Sequence, residues 1–154
     1  MNIKKLTIKD KEDITKVDNL FKKFLISESK YDVNYKIRED LKSFEKDLNN
    51  ENNILIVCKN ENDVVAFLFG YINQTKNEIS KVAHLAFIYV EENFRNKKIA
   101  SNLIDEFLSE LKSKDIKFAN VNTFYNNESA KRLYEKFGFT VNYINYKKEI
   151  DTKI

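Results

Sequence analysis

Two stretches of the chain carry residues whose types and spacing suit chemistry. The first is Tyr89-Val90-Glu91-Glu92-Asn93-Phe94-Arg95-Asn96-Lys97-Lys98-Ile99-Ala100-Ser101. An apolar run ends there, a polar loop follows, and then Ala100, Leu103, Ile104, Phe107, Leu108 and Leu111 recur at helical spacing. A strand running through a loop into a helix leaves backbone N–H groups unpaired at the helix start. Those donors and the helix dipole suit an anion, a phosphate above all, and Arg95, Lys97 and Lys98 add positive charge. Taken alone, the same residues also describe a solvated basic loop. The second stretch is Asn127-Glu128-Ser129-Ala130-Lys131-Arg132-Leu133-Tyr134-Glu135-Lys136-Phe137-Gly138-Phe139. Asn127 suits a helix N-cap, Ala130, Leu133, Tyr134 and Phe137 share one face, and Gly138 stops the helix. Taken alone, this is a cap with a core stripe.

The elements that must position these residues follow from apolar periodicity. Residues 3–8 read as a strand, and Asp10 as the cap of a helix carrying Ile14, Val17, Leu20, Phe21, Phe24 and Leu25. Residues 35–48 read as a more polar helix with Ile37, Leu41, Phe44 and Leu48 as its stripe. The apolar runs 54–58 and 64–72 flank an Asn/Asp turn, as in an antiparallel hairpin. Residues 82–90 form a strand apolar on both faces, which a sheet covered on both sides requires. Residues 118–124 give another strand, and 139–149 a last strand or strand pair. The pattern is α/β with a mixed sheet. With no proline and two glycines, Asn and Asp must make the turns.

One domain is expected over residues 1–154. Lys and Arg total 27 against 24 Asp and Glu, and the lysines are scattered, so nothing marks a nucleic-acid surface. No apolar run reaches the roughly 18 residues of a membrane span, and the N-terminus does not resemble a signal peptide. Both point to the cytoplasm. The single cysteine, Cys58, excludes an internal disulfide, fits a reducing compartment and reads as a buried strand residue. No metal-ligand motif is present.

Together, in this order and separation, the two stretches resemble the GNAT superfamily of N-acetyltransferases. Arg95 and Ala100 match the ends of its Arg/Gln-x-x-Gly-x-Gly/Ala loop; Asn127, Ala130, Leu133, Tyr134, Gly138 and Phe139 match its Asn-x-x-Ala-x-x-Leu-Tyr…Gly-Phe pattern. The resemblance implies a single GNAT-type domain, with a mixed, mostly antiparallel sheet of about six to seven strands, splayed at the centre and flanked by about four helices. It implies acetyl-CoA as cosubstrate, no metal, and direct attack by a primary amine of a small molecule or peptide through a tetrahedral intermediate. A non-catalytic acyl-CoA sensor is the alternative. The protein would act as a monomer or homodimer, without nucleic acid or membrane.

Carried over by residue, the resemblance assigns the amides of Arg95, Asn96, Lys97, Lys98, Ile99, Ala100 and Ser101 to the diphosphate. It assigns a main-chain N–H near Tyr89 or Val90 to the thioester oxygen. Asn127 would contact the pantetheine arm or a bound water, Ala130 would belong to the cosubstrate site, and Tyr134 would protonate the departing thiolate. A phenol near pKa ~10 and a thiol near ~8.5 make that transfer close to balanced. Lys98 stands where the family prefers glycine; if that position needs a positive φ, the strain is on the order of 1–2 kcal/mol. An acceptor amine of pKa ~10.4 needs about 4.6 kcal/mol to be neutral at pH 7. Ala86 stands where many family members carry a glutamate base, leaving His84, the only histidine, as the candidate base, although a packed or surface imidazole would look the same and the family includes members that select the neutral amine without a base. Glu28, Tyr31 and Asp32 could attract a cationic amine, although a solvated acidic loop would look the same.

Overall fold

The computed structural model describes residues 1–35 and 43–153. The chain runs through β1 (Asn2–Lys5), α1 (Lys11–Glu28), α2 (Phe44–Asp47), β2 (Asn53–Asn60), β3 (Asp63–Asn73), β4 (Val82–Val90), α3 (Ile99–Ser113), β5 (Phe118–Val121) and α4 (Glu128–Lys136). Single 3₁₀ turns follow α1 at Ser29–Tyr31 and β4 at Glu92–Phe94. The strands lie in sequence order, β1-β2-β3-β4-β5. The first four pair antiparallel, and α3 carries the chain across to the parallel β5.

Period-two alternation explains why both faces are covered. Ile54, Ile56 and Cys58 of β2 point to one face, where Leu103, Ile104 and Phe107 of α3 meet them. Leu55 and Val57 point to the other, against Ile14, Val17 and Phe21 of α1 and Phe44 of α2. Cys58 is buried, and burial pushes its thiol pKa up, so it is inert packing.

A bulge in β4 breaks the alternation. Phe69 faces Phe87 and Gly70 faces Leu85, so Ala86 has no opposite number. Bulges bend a strand and sharpen its twist. Ala83, Leu85, Ile88 and Val90 therefore pack on the α3 face, while Ala86, Phe87 and Tyr89 lie on the α1 face. Pairing between β4 and β5 stops at the same place, with Leu85 against Val121. From Ala86 to Val90 this edge of β4 is unpaired with β5, and the sheet is open there.

Gly70 allows α3 to sit this close. A Cβ there would lie 2.5 Å from Phe107 Cε2 and 2.9 Å from the His84 carbonyl oxygen. The ring is fully buried and the carbonyl belongs to a strand, so neither yields cheaply. Gly70→Ala is expected to destabilise the fold by roughly 1–3 kcal/mol. A urea midpoint equal to wild type would refute the close approach.

Several expectations change. Among the described residues the sheet has five strands, not six to seven. Residues 140–153 form no strand, and Val141, Tyr143, Ile144 and Tyr146 are exposed. β5 is four residues long and half exposed, a short edge for a further strand to pair along. Contacts of other kinds anchor the tail: Lys147 pairs with Asp32, and the Tyr143 hydroxyl donates to Asn122 Oδ1 at 3.4 Å. Of the helix expected at 35–48, Phe44–Asp47 is helical, while Ile37 and Leu41 lie outside the described residues. Asp10 precedes α1, but its carboxylate turns back to accept from the Thr7 amide and Lys4 Nζ, both at 2.7 Å. Asn and Asp do not supply every left-handed turn residue: Glu61 and Lys98 join Asn96 and Asp115 there. Four α-helices flank the sheet among the described residues.

Candidate active site

Three pieces of backbone meet where the sheet opens: the end of β4, the turn into α3, and α4. They line one cleft of about 620 Å³, with the C-terminal end of α1 as its remaining wall. That volume is typical of a small-ligand site.

The turn into α3 holds two residues in the left-handed region, Asn96 at φ 62° and Lys98 at φ 63°. Such alternation turns successive amides to one side, making an anion-binding concavity. None of the amides from Asn96 to Ser101 donates a well-aligned hydrogen bond to a described residue; α3's own ladder begins with Asn102 N to Lys98 O at 3.0 Å. Asn96, Lys98, Ile99, Ala100 and Ser101 all line the cleft. Lys97 does not: its ammonium lies over the Phe94 ring at 5.2 Å.

The strain anticipated for Lys98 is present, because φ 63° is the left-handed region. Lys98→Gly is expected to raise stability by about 0.5–1 kcal/mol, since the greater freedom of unfolded glycine offsets part of the relief. A higher urea midpoint at unchanged slope checks this. A lower midpoint would mean that the lysine's own contacts hold the turn.

At the end of β4, the Glu91 amide donates to Val65 O at 2.9 Å, toward β3. The Val90 carbonyl instead accepts from Arg95 Nε at 3.0 Å, away from β3. Alternation puts the Val90 N–H on that same outer edge, facing the gap, and the Tyr89 N–H toward β3. The Arg95 guanidinium also lies over the Tyr89 ring at 5.6 Å.

α4 begins as its sequence suggests. Asn127 Oδ1 accepts from the Ala130 amide at 3.1 Å, and the residue lines the cleft. Gly138, at φ 86°, ends the helix and lets the Phe139 amide reach Tyr134 O at 3.1 Å. The same reversal sets the Phe139 ring edge-on to Tyr134, at 6.0 Å. Tyr134 is buried, lines the cleft, and its hydroxyl has no hydrogen bond among the described residues. Burial raises its pKa well above that of an ordinary phenol, and the nearby charge of Glu28 raises it further. The group therefore stays protonated at neutral pH.

His84 does not line the cleft. It sits where β4 still pairs with β5, its ring stacked on Tyr71 at 4.9 Å and one ring nitrogen 3.0 Å from Asn73 Oδ1. Asp32 is held by Lys147, whereas Glu28 and Tyr31 line the cleft. Sequence reasoning missed Arg132 and Lys136, which also line it. Their spacing of four, in step with Ser129 and Leu133, was the available signal.

The family model described as acetyltransferase (GNAT) matches residues 17–139. The chain belongs to the GNAT acetyltransferase family. This GNAT protein is thus an acyltransferase, and enzymes of the family use acetyl-CoA. No curated protein matches its sequence. Solved structures share its fold. Aminoglycoside N-acetyltransferase AAC(6')-Iy, in complex with CoA, is 17% identical with a TM-score of 0.71, over 97% of this chain and 100% of that one. Aminoglycoside acetyltransferase meta-AAC0020 from an uncultured soil metagenomic sample, in complex with sisomicin, is 19% identical with a TM-score of 0.75, over 97% and 96%. Ribosomal-protein-alanine N-acetyltransferase from Brucella melitensis biovar Abortus 2308 is 20% identical with a TM-score of 0.66, over 97% and 100%. In this GNAT fold no group of three or more His, Cys, Asp or Glu is placed to hold a metal among the described residues, and no described helix is long and apolar enough to cross a membrane.

Proposed function

We propose that this enzyme transfers an acetyl group from acetyl-CoA to a primary amine of a small molecule or peptide. One observation carries the reading: Asn96 and Lys98 to Ser101, whose amides are unpaired among the described residues, line the same cleft as the Tyr134 phenol, where the pairing of β4 with β5 has stopped. The residues present fit the cosubstrate. Unpaired amides, α3's positive end, Lys98 and Arg132 suit a diphosphate. The open edge of β4 suits an extended amide-bearing arm, as a missing strand would.

In this mechanism the Val90 N–H donates to the thioester oxygen and is aimed to stabilise the oxyanion that forms on attack. Tyr134 donates to the sulfur as the C–S bond breaks. Its raised pKa makes it a hydrogen-bond donor first and a proton donor only as negative charge builds on sulfur. Solved structures of this fold are named for transfer to aminoglycosides and to ribosomal-protein alanine, both amine acceptors.

Calorimetry with acetyl-CoA, followed by thiol release across a panel of amines, tests the reading. Binding with release on at least one amine is expected. The strained Lys98 and the absence of a carboxylate at Ala86 favour a second reading, an acyl-CoA sensor. Binding without release across a broad panel would favour the sensor.

A further inference from the structure

The cleft lacks the family's usual glutamate at Ala86, and His84 lies outside it. One carboxylate nevertheless lines it among the described residues, that of Glu28, the last residue of α1. We propose that Glu28 receives the acceptor's ammonium group and takes its proton, so that the acceptor is a cationic primary amine delivered at the α1 end of the cleft. This rests on the acetyltransferase reading above.

Three observations set Glu28 apart from a solvated acid. It is half-buried and has no hydrogen bond or ion pair among the described residues. It stands at the C-terminal end of an eighteen-residue helix with no basic residue in its last turn, where the helix dipole disfavours a negative charge and favours a cation. It shares the cleft with Tyr134, and the two are near enough for its charge to act on that phenol. A carboxylate in such a place costs stability, and sites of this kind are where function is found. The neighbouring acids are engaged: Asp32 with Lys147 and Glu91 with Lys23.

The surroundings suit a cationic amine. Tyr31 stacks on Phe124 at 5.7 Å, and Tyr35 meets the same ring edge-on at 6.2 Å, so aromatic surface borders the acidic end. The titratable groups around Glu28 are Lys30, Tyr31 and Tyr35 after α1, Tyr89 of β4, and Arg132, Tyr134 and Lys136 of α4; burial raises the Glu28 pKa and the Lys30 charge partly offsets that rise. Arg95 and Lys98 lie at the end where the unpaired amides are. Among the described residues an ammonium therefore has one anionic partner in this cleft, whose other charged residues are cations.

The step balances. Glu28 carboxylate accepts one proton from R–NH₃⁺, leaving a neutral amine. Its lone pair forms the C–N bond at the thioester carbon, and the C–S bond then breaks. Tyr134 gives its proton to sulfur, and the second proton of the new N-acyl nitrogen returns to the phenolate. Glu28 releases its proton to water once product leaves. Burial, the larger cause of the raised Tyr134 pKa, persists, but protonating Glu28 removes the charge that adds to it, which makes the phenol a better acid as the thiolate departs.

The test compares wild type, Glu28→Gln and His84→Asn on two probes: the lysine side-chain amine of an Nα-blocked peptide (pKa ~10.4) and the α-amine of an Nε-blocked one (pKa ~8). At pH 7, Glu28→Gln is expected to lower kcat/KM by about a hundredfold on the first probe and far less on the second, with acetyl-CoA affinity unchanged by calorimetry. His84→Asn is expected to leave both rates near wild type. A readout independent of turnover accompanies these. Burial holds the Glu28 carboxyl above its ordinary pKa, so its ionised form lowers stability at neutral pH, and that deficit disappears as pH falls through the raised pKa. Glu28→Gln should therefore raise Tm at pH 7 and give no gain in acid. Equal losses on both probes, no loss on either, or a lowered Tm at pH 7 would overturn the proposal. Wild-type protein that binds no acetyl-CoA would sink the acetyltransferase reading itself, and this inference with it.

Discussion

Replacing Tyr134 with phenylalanine is expected to lower kcat by between about a hundredfold and ten-thousandfold, the span that a positioned general acid supplies. Acetyl-CoA affinity should hardly move, because the substitution removes one oxygen and keeps the ring. That ring packs edge-on against Phe139 and helps close the core between α4 and the sheet. Its hydroxyl has no hydrogen bond among the described residues, so stability should hold or rise slightly when it is removed. The combination is diagnostic: a large fall in turnover, unchanged binding by calorimetry, and an unchanged or higher urea midpoint. If turnover stayed at the wild-type rate, the phenol would not be the proton donor.

The second large effect concerns stability. Phe44→Ala is expected to cost about 3–5 kcal/mol, a large fraction of the 5–15 kcal/mol typical of a domain. Phe44 is wholly buried, and its ring lies 5.0 Å from Phe69, 5.3 Å from Phe21, 5.9 Å from Phe67 and 6.3 Å from Phe87. These rings belong to β3, α1 and β4, so the cavity would loosen α1 against the sheet. For a chain of this size, Tm should fall by roughly 6–20 °C. Because α1 also carries Glu28 into the cleft, the variant should lose activity at temperatures where it remains folded. A Tm within two or three degrees of wild type would mean that the ring cluster contributes little.

Much of this was legible in the residues. The helix from Ile99 and the helix ending at Gly138 were set by local chemistry: apolar spacing, the Asn127 cap, and a glycine in the left-handed region. Local rules act between residues a few positions apart, so they can be read from a string. The same rules failed where tertiary contacts competed. Asp10 left its helix for Lys4 and the Thr7 amide, and the alternating tail beyond Phe139 found no strand to pair with. His84 and Ala86 do lie on one face, but the bulge and the end of the β4–β5 pairing leave His84 outside the opening.

The sequence by itself determined the element order as far as the last helix, the two-sided apolar sheet, and the placing of the basic turn before Ala100 and of Tyr134 on the last helix, because each depends on neighbours along the chain. Only the tertiary structure decided that Lys98 is left-handed, that the Val90 amide faces the gap, and that Glu28, over a hundred residues from Tyr134 in the chain, shares its cleft. Those outcomes depend on a bulge, on where two strands stop pairing, and on how α1 lies across the sheet. Each is a balance of contacts between residues far apart in sequence, which no local pattern encodes.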